Sequence, residues 1–272
     1  MRAVRPLWKG AISFGLVYVP VKLYKATESK DIRFHYLHAK CKTPIQYRKF
    51  CPYCRVEVPP EEIVRGYEYE KGKYVILREE DLEGLPQETT RTISLLDFVD
   101  LREIDPVYFD RSYYLAPDDG GEKPYALLRE ALRATNRIGI AKVVLRNRAS
   151  LAAVRVYDKV LMLNTMIYPE ELRPVQEFTE LNFEVHLHPK EVEMAVTLIN
   201  TLAAKFEPEK YTDEYRKALR EIIEAKIAGE EVEVPARPEA QKVVDLMEAL
   251  KASIELAKKE EKGGMRRRRK TS

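Results

Sequence analysis

The seventeen residues from Trp8 to Tyr24 set the tightest limit on what this chain can become. They run Trp-Lys-Gly-Ala-Ile-Ser-Phe-Gly-Leu-Val-Tyr-Val-Pro-Val-Lys-Leu-Tyr. Apolar and polar residues alternate, as in a strand with one buried face. Ile12, Phe14 and Leu16 share a face at period two, and Tyr18 continues the series. Pro20 removes a ladder donor and so belongs at an edge or a break. Val21 and Leu23 restart the alternation, with Lys22 and Lys25 assigned to the opposite face. A sheet apolar on one side and cationic on the other suits a polyanion. Lysines that only keep a sheet edge soluble would give the same pattern.

Strand signals continue along the chain. Residues 63–70 and 73–78 read as a hairpin around Lys71-Gly72, followed by a short helix over 79–85. Residues 89–98 and 108–115 read as strands, and Pro117 to Gly121 as a turn. Residues 124–136 are helical, with Leu127, Leu128, Ala131 and Leu132 on one face. Residues 138–146 and 151–156 alternate about the turn Asn147-Arg148-Ala149-Ser150, and 160–167 is a further strand. Many short strands divided by turns favour a closed or nearly closed barrel.

The period changes after Pro189. Val192, Val196, Ile199, Leu202 and Phe206 recur at helical spacing. A second helix spans 212–228, with Thr212 as its N-cap, Tyr215, Leu219, Ile222 and Ile223 as its apolar stripe, and Gly229 as its stop. Such helices can pack back on a barrel or clasp a second copy. Pro235 and Pro238 mark a linker. Residues 239–261 form a third amphipathic helix through Val243, Met247, Leu250 and Ile254. Arg266, Arg267, Arg268, Arg269 and Lys270 then form a basic tail that cannot fold alone; it either adds non-specific affinity for nucleic acid or is an end with no task.

The 272 residues suffice for one large or two modest domains. Net charge is only +3, but its distribution is uneven. Residues 1–60 hold 12 Lys or Arg against 3 Asp or Glu, and residues 241–272 hold 10 against 5. The middle is therefore acidic and the ends basic, a polarised molecule. No apolar run is long enough for a signal peptide or a membrane span, so a soluble cytoplasmic protein with no membrane partner is expected. Three closely spaced cysteines fit a reducing compartment better than a disulfide framework.

Those cysteines carry the sharpest chemical signal. His38 and Cys41 are separated by two residues; after nine more, Cys51-Pro52-Tyr53-Cys54 repeats the spacing. Zinc takes four N or S ligands in a tetrahedron, and two ligands separated by two residues fit one turn. Four protein ligands leave no open position, so the expected zinc is structural. His35 can stand in for His38, although the spacing to Cys41 favours His38. Reduced cysteines in a small core are the bland alternative. Catalysis is not expected: no phosphate-binding Gly-rich loop, His-Glu-x-x-His or Gly-x-Ser-x-Gly occurs. His186 and His188 read as a strand end ahead of a helix.

The stretch Trp8 to Val17, followed by Pro20 to Tyr24, resembles the opening of the prokaryotic Ku proteins. Gly66-Tyr67-Glu68-Tyr69, Tyr74-Val75-Ile76-Leu77 leading to Glu80-Asp81-Leu82, and Tyr113-Tyr114-Leu115-Ala116-Pro117 extend the match in order. It covers roughly residues 8–230. The resemblance implies an α+β, mostly β fold. A β-barrel core over 1–188 would carry a DNA-spanning bridge insertion over about 26–95, including the His/Cys module at 35–54. A helical arm for dimerisation would follow at 189–234, then a linker, an amphipathic helix and the basic tail at 235–272. The function it implies is a homodimeric ring, associated with the nucleoid, that threads double-stranded DNA ends. Such a ring recruits an ATP-dependent multidomain DNA ligase for non-homologous end joining. Some prokaryotic Ku proteins carry a similar His/Cys set and many lack it.

A ring that accepts any end needs phosphate contacts without base contacts. The candidates are Lys22, Lys25 and Arg33 near the first strands, and Lys142, Arg146 and Arg148 around the second hairpin; each is also an ordinary surface charge when taken singly. The rival readings are an open zinc-ribbon module that binds nucleic acid and a zinc-dependent nuclease.

Overall fold

The computed structural model describes residues 4–78, 80–81, 91–145, 148–229 and 247–256. It divides into two units, residues 1–175 and 176–272.

In the first unit, β1 (Trp8–Phe14) and β2 (Val17–Lys25) form an antiparallel hairpin. Gly15 makes the turn at φ 55, a conformation that suits a residue without Cβ. The turn interrupts the expected face. Ile12 is fully buried, but Leu16 lies in the loop and is exposed, and beyond it Val19, Val21 and Leu23 are the buried set. Tyr18 is accordingly exposed. Pro20 does not break β2; it lies one residue beyond the stretch of β2 that pairs with the next barrel strand, where no donor is missed.

An insertion follows. It holds two small antiparallel pairs, β3 (Phe50–Cys51) with β4 (Val56–Glu57) and β5 (Arg65–Glu70) with β6 (Lys73–Leu77). The second pair is the expected hairpin around Lys71-Gly72, and every residue in it is exposed. Of the helix expected at 79–85, residues 80–81 are helical and the remainder is outside the described residues.

The chain then supplies β7 (Thr92–Asp100), β8 (Phe109–Pro117), β9 (Arg137–Leu145), β10 (Arg148–Tyr157) and β11 (Val160–Met166). With the first hairpin they close a barrel in the order β1-β2-β8-β11-β10-β9-β7. Every pairing is antiparallel except the closing one, where β1 runs parallel to β7 from Ala11↔Thr92 to Ser13↔Ser94. Closure needs a close approach at Gly10, where a Cβ would sit 2.0 Å from the Arg91 carbonyl oxygen. That carbonyl accepts from the Ala11 N–H at 2.9 Å. Inward-facing Ile12, Val21, Leu23, Ile93, Leu115, Val143, Val154, Leu161 and Leu163 are removed from water altogether.

Helix α1 (Glu122–Thr135) covers this core with Tyr125, Leu128 and Leu132. Of the face expected from sequence, Leu128 is buried and Leu127 is exposed. The helix ends at Asn136 in the left-handed conformation at φ 50. The Tyr125 hydroxyl donates to the Leu115 carbonyl at 2.6 Å and accepts from the Leu161 N–H at 2.7 Å, tying α1 to neighbouring β8 and β11. Burial raises its pKa above the ordinary phenol value.

In the second unit, α2 (Pro189–Leu202) opens on a capping box between His188 and Glu191, and α3 (Glu214–Ala228) closes on Gly229 at φ 81. Two expectations shift. Asp213, not Thr212, caps α3 by accepting from the Arg216 N–H at 2.9 Å. Phe206 falls beyond α2 and stacks instead on Tyr211 at 5.8 Å. Neither helix buries a residue. Residues 247–256 are also helical, and among the described residues no helix is long and apolar enough to cross a membrane.

Candidate nucleic-acid interface and cysteine pairs

The cations singled out from sequence have different surroundings. Lys22 sits on the outer face of β2, opposite the buried Val21 and Leu23, and its Nζ lies 2.5 Å from an Asp118 carboxylate oxygen. Their side chains are 23% and 20% exposed. Lys9, the register partner of Lys22 on β1, approaches the same carboxylate at 3.8 Å. Asp118 therefore serves two amines, and the neighbouring Asp119 carboxylate also acts on Lys22. The bond to Asp118 holds the Lys22 amine above its ordinary pKa, and Lys22 in turn, with the Asp119 N–H, holds the Asp118 carboxyl below its own.

Lys25 has the parity of Val21 and Leu23, not that of Lys22, so the two do not share a strand face; Lys25 is exposed because β2 ends there. Lys142 is exposed on β9, in register with Ser94 and Leu151. Arg148 lies in β10, not in the turn expected there, and pairs with Glu171 at 2.8 Å. Arg33 is exposed in the irregular part of the insertion. Arg146 and the tail residues Arg266–Lys270 are outside the described residues. Asp118 is the residue that sequence reasoning missed. It lies in a segment legible only as a turn, and nothing in its spacing points at Lys22.

The four expected metal ligands form two matching turns. His38 Nδ1 lies 3.1 Å from the Cys41 sulfur, while the Cys54 N–H donates to the Cys51 sulfur at 3.4 Å. In each turn the residue after the second ligand is left-handed, Lys42 at φ 57 and Arg55 at φ 56. Each also closes back on the first ligand: Lys42 N–H to the His38 carbonyl at 2.8 Å, and Arg55 N–H to the Cys51 carbonyl at 2.9 Å. Hydrogen bonds from Thr43, with a smaller share from His38, draw the Cys41 thiol down to about 7. Backbone N–H groups of Cys54 and Tyr53 lower the Cys51 thiol, and the hydrogen bond to Cys51 raises that of Cys54. Soft donors set in pairs with thiolate-favouring hydrogen bonds fit zinc chemistry. The two turns are not drawn together: among the described residues no three His, Cys, Asp or Glu side chains gather into a metal-binding group.

A closed seven-stranded barrel that carries a cysteine-bearing insertion and a separate helical unit defines the class of this protein. The family model described as the Ku70/Ku80 beta-barrel domain matches residues 13–194. A relative from Heliobacterium modesticaldum named Non-homologous end joining protein Ku is 53% identical over 274 residues, covering 99% of each chain. Relatives of the same name from Bacillus subtilis and Archaeoglobus fulgidus are 47% and 42% identical, covering 92% and 94% of this chain and 81% and 100% of their own. The chain belongs to the Ku family.

Proposed function

We propose that this chain works as a homodimeric ring on the ends of double-stranded DNA. In this reading it holds broken ends without regard to sequence and recruits an ATP-dependent multidomain DNA ligase for non-homologous end joining, in the cytoplasm at the nucleoid. The names of its relatives supply the end-joining role. One structural observation carries the dimer: in α2 the stripe Val192, Val196, Ile199 and Leu202 is 45–66% exposed, and an apolar face of that extent needs a partner. A second copy meets the need with its own identical stripe, as a two-fold interface requires.

Lys25, Lys142 and Arg33, together with the Lys9–Lys22–Asp118 group, are the proposed phosphate contacts. They give affinity that falls with salt and is indifferent to base sequence. The reading assigns the chain no chemical step of its own; the ligase makes the bond. His38, Cys41, Cys51 and Cys54 would hold one structural zinc, whose role is to fix the two turns of the insertion against each other.

The test is an electrophoretic mobility shift on linear and covalently closed circular duplex of equal length, with solution mass measured alongside. A ring that loads at ends binds the linear form and has the mass of two chains. Equal retention of both forms by a monomer refutes the reading. Metal analysis of the purified chain should return one zinc per chain, and the Cys51→Ser variant should return none.

A further inference from the structure

On the outside of the barrel, four neighbouring strands place a row of side chains in register: Tyr24 opposite Tyr114, Tyr114 opposite Met162, and Met162 opposite Arg155. Beside the row lies a cavity of about 450 Å³, lined among others by Tyr24, Lys25, Tyr114, Tyr157 and Asp158. That volume is in the range of small-molecule sites, about 300–1,000 Å³. The Tyr114 and Tyr157 rings stand 6.3 Å apart with 32° between their planes. The Arg155 guanidinium lies 5.5 Å from the centre of the Tyr157 ring and is fixed from behind by the Asn164 carbonyl oxygen at 3.0 Å and the Met162 sulfur at 3.1 Å. Among the described residues neither Arg155 nor Lys25 is in an ion pair. The Arg155 guanidinium thus stands, without a carboxylate partner, over an aromatic ring of the cavity wall.

We propose that this cavity receives an unpaired base at a tailed or frayed DNA end. The inference rests on the end-binding reading above. Stacking on aromatic rings combined with nearby cations is how proteins hold single strands without reading sequence, because every base has a flat face. The cavity has room for a ring and its sugar and none for a paired helix. An extended peptide has less to hold here: the strands beneath are paired on both sides in a closed barrel and offer no free backbone edge. Lys25 joins the two sites, since it is both a proposed phosphate contact and part of the cavity wall.

The experiment compares three duplexes by fluorescence anisotropy with the full chain: one blunt, one with a short single-stranded tail, and one with an abasic tail of the same length. The abasic tail keeps the phosphates and removes the rings. The base-bearing tail should be held about five- to a hundredfold more tightly than the abasic one. Tyr157→Ala should erase that preference and Tyr157→Phe should keep it, with blunt-end affinity the same in all three proteins. Tyr24→Ala, on a different strand of the lining, should act as Tyr157→Ala does, which guards against a local folding defect in either variant.

Equal affinity of the unaltered chain for both tails overturns the proposal, as does a preference that survives both alanine variants. A preference lost together with a halved solution mass also overturns it, because the cavity is then a contact between chains or with a protein partner. Failure of the unaltered chain to bind even the blunt duplex is a different signature: it refutes the end-binding reading, and this site with it.

Discussion

In the barrel, ten large side chains lose all contact with water; in α2 and α3 not one does. Both regions are amphipathic by pattern, and both carry the apolar stripes that their period demands. The barrel strands find each other within one chain and close, leaving no edge. The helices present Val196, Ile199 and Leu202 to solvent. Such a stripe is what the proposed two-fold contact between copies would cover. Under the proposed dimer, the barrel's stability is a property of one polypeptide, while that of the helical unit depends on concentration.

The largest expected effect sharpens this contrast. Leu163→Ala removes a fully buried barrel side chain and should cost about 2–5 kcal/mol in urea unfolding. Ile199→Ala should leave the barrel transition within about 0.5 kcal/mol and instead lower the mass measured by sedimentation on dilution. Equal destabilisation of the barrel by both variants would erase the distinction between the two regions.

Tyr125→Phe comes next. It strips the partner from the Leu115 carbonyl and the Leu161 N–H and should cost about 1–3 kcal/mol. Because the folded-state pKa of Tyr125 is raised, its neutral form is the one that folding favours. Its share of stability is complete below the ordinary phenol pKa of 10 and is lost as pH rises through the folded value. The unaltered chain should therefore lose stability more steeply above pH 10 than Tyr125→Phe, which melting curves across that window will show.

The smallest effect belongs to the outer face. Asp118→Asn frees Lys22 and Lys9 from their shared carboxylate. Affinity for duplex ends should rise a few-fold for every sequence alike, and the slope of log affinity against log salt should steepen by about one. An unchanged slope removes Lys22 from the DNA path. Asp118, with its lowered pKa, supports the fold only above the ordinary carboxylate range, and that small support is lost as pH falls through its folded value.

Much of the strand pattern was legible because strand period and turn residues are local. Residues 160–167 and the hairpin at 63–78 fall within a residue or two of β11, β5 and β6. The faces were less legible. Gly15 turns the chain between Phe14 and Val17, and a two-residue loop resets which positions face inward. The cysteine spacing was plain, but the matching left-handed residues Lys42 and Arg55 were not, since neither is a glycine to give the conformation away. The pairing of Lys22 with Asp118 joins positions 96 residues apart, and no local period encodes it. The tyrosine row was invisible for the same reason: Tyr24, Tyr114 and Arg155 meet only through the register of β2, β8, β11 and β10.

The parallel seam between β1 and β7 fixes an order of events during synthesis. The first hairpin leaves the ribosome with its apolar face bare, and the strands that will cover it end only at Met166. At ordinary elongation rates that wait is on the order of 10 s. Throughout it, Lys9, Lys22 and Pro20 on β1 and β2 discourage pairing with a neighbouring nascent chain. The two lysines that meet a shared carboxylate in the finished barrel thus act first as guards of an unfinished one.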